Sequence, residues 1–239
     1  SDTSSNILRK DYGVDDSKLT TILHGVHKFE EATSTAKKIL GVEDKFVIST
    51  TGLVREKRGL EHVIRAMPQI VDEVPNSLYV IAGTTHPKEI LPSGREPYRE
   101  QLIEEARDLG VEDHVLFVDN YLPLNSLLRH IQASDVCVTP YTAPEQVSSG
   151  ILSYCVGLDK PVLSTPFLYA QEILGEGRGV ILPDFNNPDS MAEGIIRLAK
   201  NPELVESIKT KLKPLKERML WPNVAGEYIN VERMLIDSQ

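Results

Sequence analysis

Two stretches of the chain carry residue types that could hold a phosphate. The first is Thr51-Gly52-Leu53-Val54-Arg55-Glu56-Lys57-Arg58-Gly59, with three cations between two glycines. The second is Glu145-Gln146-Val147-Ser148-Ser149-Gly150, a small polar segment ahead of the apolar run that begins at Ile151. Lysine and arginine neutralise phosphate charge, and arginine does so with a fork of donors. Ser148 and Ser149 can cap a helix, whose first amides have no partner inside the helix and favour anions. The basic stretch is neither G-x-G-x-x-G nor a Walker loop, so spacing alone leaves a solvated charged turn and a phosphate site equally open. His86, in Gly83-Thr84-Thr85-His86-Pro87, either donates to a phosphate or hydroxyl or caps its own loop. His24 and His27 sit three apart with no third ligand near in sequence, which reads as loop histidines rather than a zinc site.

The elements around these stretches follow from periodicity and punctuation. Lys45 to Thr51 is a strand that ends on Gly52, and Leu60, Val63, Ile64, Met67, Ile70 and Val71 recur at helical spacing behind Gly59. Further strands are expected at Leu78–Ala82, Val115–Val118, Val136–Thr139, Pro161–Thr165 and Val180–Leu182. Helices are expected at Tyr98–Leu109, Leu124–Ile131, from Ser148 or Ser149 onward, at Ala170–Leu174 and at Pro188–Ala199. Another helix starts at Asn201 and runs through Leu212, and Trp221-Pro222 breaks the chain before a last helix from about Asn223 to Ile236. Ahead of the first strong strand, Ser1–Ser5 is expected to be a flexible end and Asn6–Tyr12 the end of a helix stopped by Gly13. Leu19–Leu23 reads as a strand and Glu30–Leu40 as a helix ending at Gly41. Strands alternate with helices from Lys45 to Ala199, the pattern of an α/β, doubly wound parallel sheet of Rossmann-like type. Ligands of such sheets bind beyond the carboxyl ends of the strands, where both candidate stretches fall.

The bulk properties narrow the function classes. The chain has 239 residues, 41% of them hydrophobic, and a formal charge of −9. That balance disfavours a general nucleic-acid binder. No apolar run approaches a membrane span and no signal-peptide pattern opens the chain. Cys137 and Cys155 lie in apolar segments, as reduced core thiols of a cytoplasmic protein would. No G-x-G-x-x-G follows any strand, which disfavours a nicotinamide dehydrogenase.

Taken in order, several landmarks resemble the C-terminal half of a GT-B-type glycosyltransferase of the large retaining family called group 1 or family 4. Ile22-Leu23-His24-Gly25-Val26 is similar to the segment that enters that family's second domain. Gly52–Gly59 is similar to its G-R-L-x-x-E-K-G loop, and Val80-Ile81-Ala82-Gly83 to the strand after the first helix. Ala133-Ser134-Asp135-Val136 with Pro140 resembles A-A-D-x-x-x-x-P, and Gly157–Thr165 resembles the G-x-P-V-V-A-T strand with one extra residue. A subgroup pattern, Q-x-x-S-G-T-L-A-Y, is similar to Gln146–Tyr154. The resemblance covers about Asn6 to Leu235.

The resemblance implies a domain that binds a nucleotide-sugar donor and supports transfer of its sugar to a hydroxyl acceptor. Arg58 takes the place of the loop lysine that contacts the diphosphate, and Arg55 stands two positions after Leu53, where the family has its arginine. The implied donor set is Gly52, Arg55, Arg58, His86, Tyr121, Glu145, Gln146, Ser148, Ser149 and Gly150, with diphosphate stabilisation by Arg55 and Arg58. Glu145 and Gln146 would lie beside the sugar. The family's E-x7-E pair falls on Pro144 and Leu152, with Glu145 displaced by one. No metal and no cofactor beyond the NDP-sugar substrate are implied. The organisation implied is a tail and helix remnant over 1–18, a nucleotide-sugar-binding domain over 19–220, and a helix over 221–239 that packs on an N-terminal domain supplied in cis or in trans. Without that domain, transfer is expected to be weak or absent. The alternative is a non-catalytic binding or scaffold module of the same fold that pairs with another subunit. A sugar epimerase of GT-B architecture ranks behind both.

Overall fold

The computed structural model describes residues 1–237. Its centre is a six-stranded sheet in the order β3-β2-β1-β4-β5-β6. The strands are β1 (Phe46–Thr51), β2 (Ser77–Ala82), β3 (Val115–Val118), β4 (Val136–Thr139), β5 (Val162–Ser164) and β6 (Val180–Ile181). Every pairing is parallel, with Ile48 aligned on Tyr79 and on Val136, and Val138 on Leu163. β1, β2 and β4 are almost continuous runs of buried β-branched and aliphatic residues, as strands covered on both faces must be. Two of the buried hydroxyls among them form a relay across the sheet: Tyr79 donates to Thr50 (3.0 Å), and Thr50 donates to the Val138 carbonyl (3.0 Å).

Ten helices complete the described chain: α1 (Asp2–Tyr12), α2 (Thr33–Leu40), α3 (Leu60–Glu73), α4 (Pro97–Asp108), α5 (Leu124–Ala133), α6 (Gly150–Gly157), α7 (Leu168–Leu174), α8 (Pro188–Lys200), α9 (Pro202–Met219) and α10 (Trp221–Asp237). α3 packs on α4 and α8, while α2 packs on α5 and α5 on α6. Right-handed crossovers require this division, because the strand order reverses between β1 and β4. α3 buries Leu60, Val63, Ile64, Met67 and Ile70, each contributing about 1.5–3 kcal/mol on burial. Asp135 ties the amino ends of the sheet together. Its carboxylate accepts from the Val47 amide (2.7 Å) and from Lys37 Nζ (2.6 Å), so the aspartate of the A-A-D-like segment is architectural here.

Four expectations need correction. Ser1–Ser5 is ordered: Ser1 caps α1 and donates to the Val147 carbonyl, and the Glu172 carboxylate accepts from the Asp2 and Thr3 amides. Leu19–Leu23 is not a strand: the Leu19 amide donates to the Asp16 carbonyl (3.1 Å), Thr21 Oγ1 pairs with Ser5 Oγ (2.9 Å), and the neighbouring Val26 makes a single bridge to Leu220. The last helix starts at Trp221, two residues ahead of the expected Asn223, because proline at the beginning of a helix loses no internal hydrogen bond; the break between α9 and α10 falls at Leu220. The spacing of Val224, Tyr228, Val231 and Leu235 predicts an exposed apolar face on the last helix, but Val224 is buried and Val231 half-buried, whereas Tyr228 and Leu235 are exposed, as are Ile229 and Ile236. The last two residues of the expected 221–239 helix lie outside the described residues. Both cysteines are buried, as the apolar context required. The Cys137 sulfur and burial together push the Cys155 thiol up. No described helix is long and apolar enough to cross a membrane.

Candidate functional site at the switch point of the sheet

The strand order turns back between β1 and β4, and at that point the carboxyl ends of two adjacent strands open into a crevice. The basic loop follows β1 and the Pro140-Tyr141 loop follows β4. Gly59, at φ +64°, brings them together: a Cβ there would sit 2.2 Å from the Pro140 carbonyl oxygen, so only glycine permits this backbone approach. The Thr142 amide donates to the Lys57 carbonyl across the same junction (3.3 Å).

The cations lie on this rim. The Arg58 guanidinium stacks over the Tyr141 ring at 4.5 Å. The Tyr141 hydroxyl lies 3.4 Å from Ser149 Oγ, and Ser149 caps α6 by accepting from the Leu152 amide (3.1 Å). Gly52, at φ +103°, closes the far side; a Cβ there would meet Ile151, in the first turn of α6, at 3.3 Å and Arg58 Nη2 at 3.7 Å. Arg58, Gly52 and the first turn of α6 therefore lie against one another. Among the described residues neither Arg55 nor Arg58 has a carboxylate partner, and the Nε of each is buried without a hydrogen bond. Half-buried guanidinium groups without acceptors, beside free helix amides, are suited to an anion.

Next to the cations is a mostly apolar cleft of about 190 Å³, lined by Gly52, Leu53, Gly83, Thr84, Tyr121 and Ile151. Tyr121 is 80% exposed and free to cover a flat ring. A larger groove of about 440 Å³ opens between α2 and α5 and shares Tyr121 and Leu122 with this cleft. No lysine or arginine lines that groove.

The other expected site residues are less closely joined. His86 is at the same end of the sheet, through its amide bond to the Val54 carbonyl (2.9 Å), but its Nδ1 accepts from the Lys88 amide (3.1 Å) and caps a short turn. The Gln146 amide group donates to the Ser148 carbonyl (2.8 Å), and Ser148 and Glu145 are exposed on the loop that leads into α6. Leu152, at the position of the family's second glutamate, is wholly buried. Two contributors escaped the sequence: Tyr141, which carries Arg58, and Ile151, which walls the pocket. The signal for Tyr141 was an aromatic directly after the proline that ends a strand. No three His, Cys, Asp or Glu side chains among the described residues are grouped to hold a metal.

The family described as Glycosyl transferases group 1 matches residues 32–213. The chain belongs to the group 1 glycosyltransferases. It is 25% identical to the uncharacterized glycosyltransferase MJ1607 of Methanocaldococcus jannaschii, over 95% of this chain and 56% of that protein. It is 23% identical to the alpha-D-kanosaminyltransferase of Streptomyces kanamyceticus, over 84% of this chain and 50% of that one. The chain thus spans about half the length of the curated relatives it matches. Among solved structures, Anabaena Alr3699/HepE in complex with UDP superposes with a TM-score of 0.81 at 17% identity, covering 98% of this chain and 62% of that one. Sucrose-phosphate synthase of Thermosynechococcus elongatus gives 0.79 at 19% identity, covering 100% and 58%. At these identities the likeness is one of fold, and it is to group 1 glycosyltransferase architecture of the GT-B type.

Proposed function

We propose that this domain is the C-terminal, donor-binding half of a glycosyltransferase and takes a nucleoside diphosphate sugar. The observation that carries the proposal is the chain of contacts from Arg58 through Tyr141 to Ser149, which sets a guanidinium beside the first turn of α6. The diphosphate would lie between Arg58, Arg55 and the α6 amides, with the nucleoside in the apolar cleft under Tyr121. The sugar would point toward Glu145 and Gln146. As the sugar leaves for a hydroxyl acceptor, negative charge grows on the diphosphate, and fixed cations and amides stabilise that charge more than the ground state. A hexosyl donor, retention at the transferred carbon and no resident metal follow the family. The crystal complexes of HepE with UDP and with UDP-glucose support a uridine nucleotide as the first to try.

The acceptor site and the remaining catalytic groups would come from an N-terminal domain, in cis or in trans. The exposed apolar residues of α10, Tyr228, Ile229, Leu235 and Ile236, are suited to pack on it. The chain alone would then bind donor and transfer little. The scaffold alternative draws on Leu152: a buried leucine stands where the family has a carboxylate. Calorimetric titration with UDP, GDP and ADP tests the donor proposal. Binding of at least one at micromolar to millimolar levels is expected, and no heat from any of them with the fold intact would overturn it.

A further inference from the structure

His24 stands outside the set of residues drawn from sequence, yet it lies against the first turn of α6. Its Nε2 is 3.2 Å from where a Cβ on Gly150 would be, with Cε1 at 3.7 Å and Cδ2 at 4.0 Å. That Nε2 distance is shorter than side chains normally tolerate, so the absence of a side chain at Gly150 is what admits the imidazole. The ring also meets Tyr154, one turn further along the same face of α6, edge to face at 6.0 Å. The loop that carries it is pinned as well. The Val26 amide donates to the Met219 carbonyl (2.7 Å), the Trp221 amide donates to the Val26 carbonyl (3.1 Å), and Gly25 is closed over by the Trp221 ring. His27, on the same loop, is already engaged, with Nδ1 2.9 Å from the Tyr154 hydroxyl. His24 is exposed, and neither of its ring nitrogens has a hydrogen-bond partner among the described residues.

We propose that His24 is a direct ligand of the diphosphate, its Nε2–H donating to a phosphate oxygen held on the amides of Gly150 and Ile151. The inference rests on the donor site proposed above and adds to it a residue from a segment remote in sequence from Arg58. Arg58 reaches the first turn of α6 from the basic loop, through Tyr141 and Gly52. His24 reaches the same turn from the segment that enters the domain. An anion on the α6 amides would thus be met by two segments of the chain, through a guanidinium and an imidazole N–H. Hydrogen bonds to a charged acceptor are the strong ones, so loss of this one is a readable change in affinity.

The test uses the full chain, with the tightest binder among UDP, GDP and ADP and the matching nucleoside as probes. His24→Ala is expected to weaken diphosphate binding about tenfold or more while leaving nucleoside affinity unchanged. His24→Gln, which keeps an N–H donor, is expected to recover part of the loss. Gly150→Ala, which pushes the ring away, is expected to resemble His24→Ala. Long-range ¹H–¹⁵N spectra of the histidines should show the Nε2 of His24 moving with the diphosphate and not with the nucleoside. The proposal is overturned if His24→Ala binds both probes like the unsubstituted chain while Arg58→Met loses the diphosphate, and the donor site then stands without it. An equal loss of diphosphate and nucleoside also overturns it, since His24 would then shape the site rather than touch phosphate. If the unsubstituted chain binds no nucleoside diphosphate, the donor site fails and the proposal with it.

Discussion

Gly59→Ala should separate the two loops that build the phosphate site. Gly59 holds φ +64°, which costs a side-chain-bearing residue about 1–2 kcal/mol. Its new Cβ would also stand 2.2 Å from the Pro140 carbonyl oxygen, where carbon and oxygen ordinarily keep about 3.3 Å. The obstacle is backbone, not the end of a flexible side chain, so one loop must move by roughly 1 Å, and overpacking of this kind costs about 1–3 kcal/mol. The total is about 2–5 kcal/mol, which for a chain of this size lowers Tm by roughly 4–20 °C. Gly110→Ala isolates the first term. Gly110 has φ +67° with no atom within 4 Å of the added Cβ, so only the backbone cost of about 1–2 kcal/mol applies. Thermal denaturation of both variants, followed by titration with nucleoside diphosphate, reads the difference. Gly59→Ala should melt below Gly110→Ala and bind the diphosphate more weakly, because Arg58 precedes the displaced residue. Equal melting temperatures and unchanged affinity would refute the claim that this contact assembles the site.

Other perturbations probe the same structure. Burial lowers the Lys160 amine to about 8, and Nζ has Thr33 Oγ1 as its acceptor (2.8 Å). Between pH 8 and the ordinary lysine value near 10.4 the unfolded chain holds the extra proton, so stability rises with pH over that window; below pH 8 the full cost of the buried ammonium is present. Lys160→Met should flatten the rise, as read from urea midpoints at pH 7.5 and 10, and an unaltered slope would contradict it. Leu152→Glu should lose about 3–5 kcal/mol in urea unfolding, because it buries a carboxylate without a partner; a variant as stable as the parent would mean that position 152 faces the site instead of the core. Ser149→Ala removes the cap of α6 and should cost about 1 kcal/mol at constant m-value, whereas no loss would mean that solvent already satisfies the Leu152 amide.

The sheet was legible in the sequence because buried parallel strands are apolar runs bounded by glycine and proline. Phe46–Thr51, closed by Gly52, and Val136–Thr139, closed by Pro140, show that pattern. Helix ends at Gly13 and Gly41 were legible for a related reason, since both glycines take the left-handed conformation that stops a helix. Leu19–Leu23 has strand composition and no strand, because pairing depends on a free sheet edge that local sequence does not encode. The order of Ser1–Ser5 depends on Glu172, a partner remote in sequence. The site divides the same way. The basic loop and the α6 start announce themselves by glycines, cations and serines. Tyr141 and His24 join them only through tertiary contact, and their roles became visible with the distances.

The donor-site account rests on Arg58 and the start of α6 acting on one diphosphate. Isothermal titration of the unsubstituted chain and of Arg58→Met with UDP, and with uridine as the phosphate-free reference, tests this most directly. The account predicts that Arg58→Met binds UDP about 10- to 100-fold more weakly and uridine with unchanged affinity. Equal UDP affinity in the two proteins would contradict it.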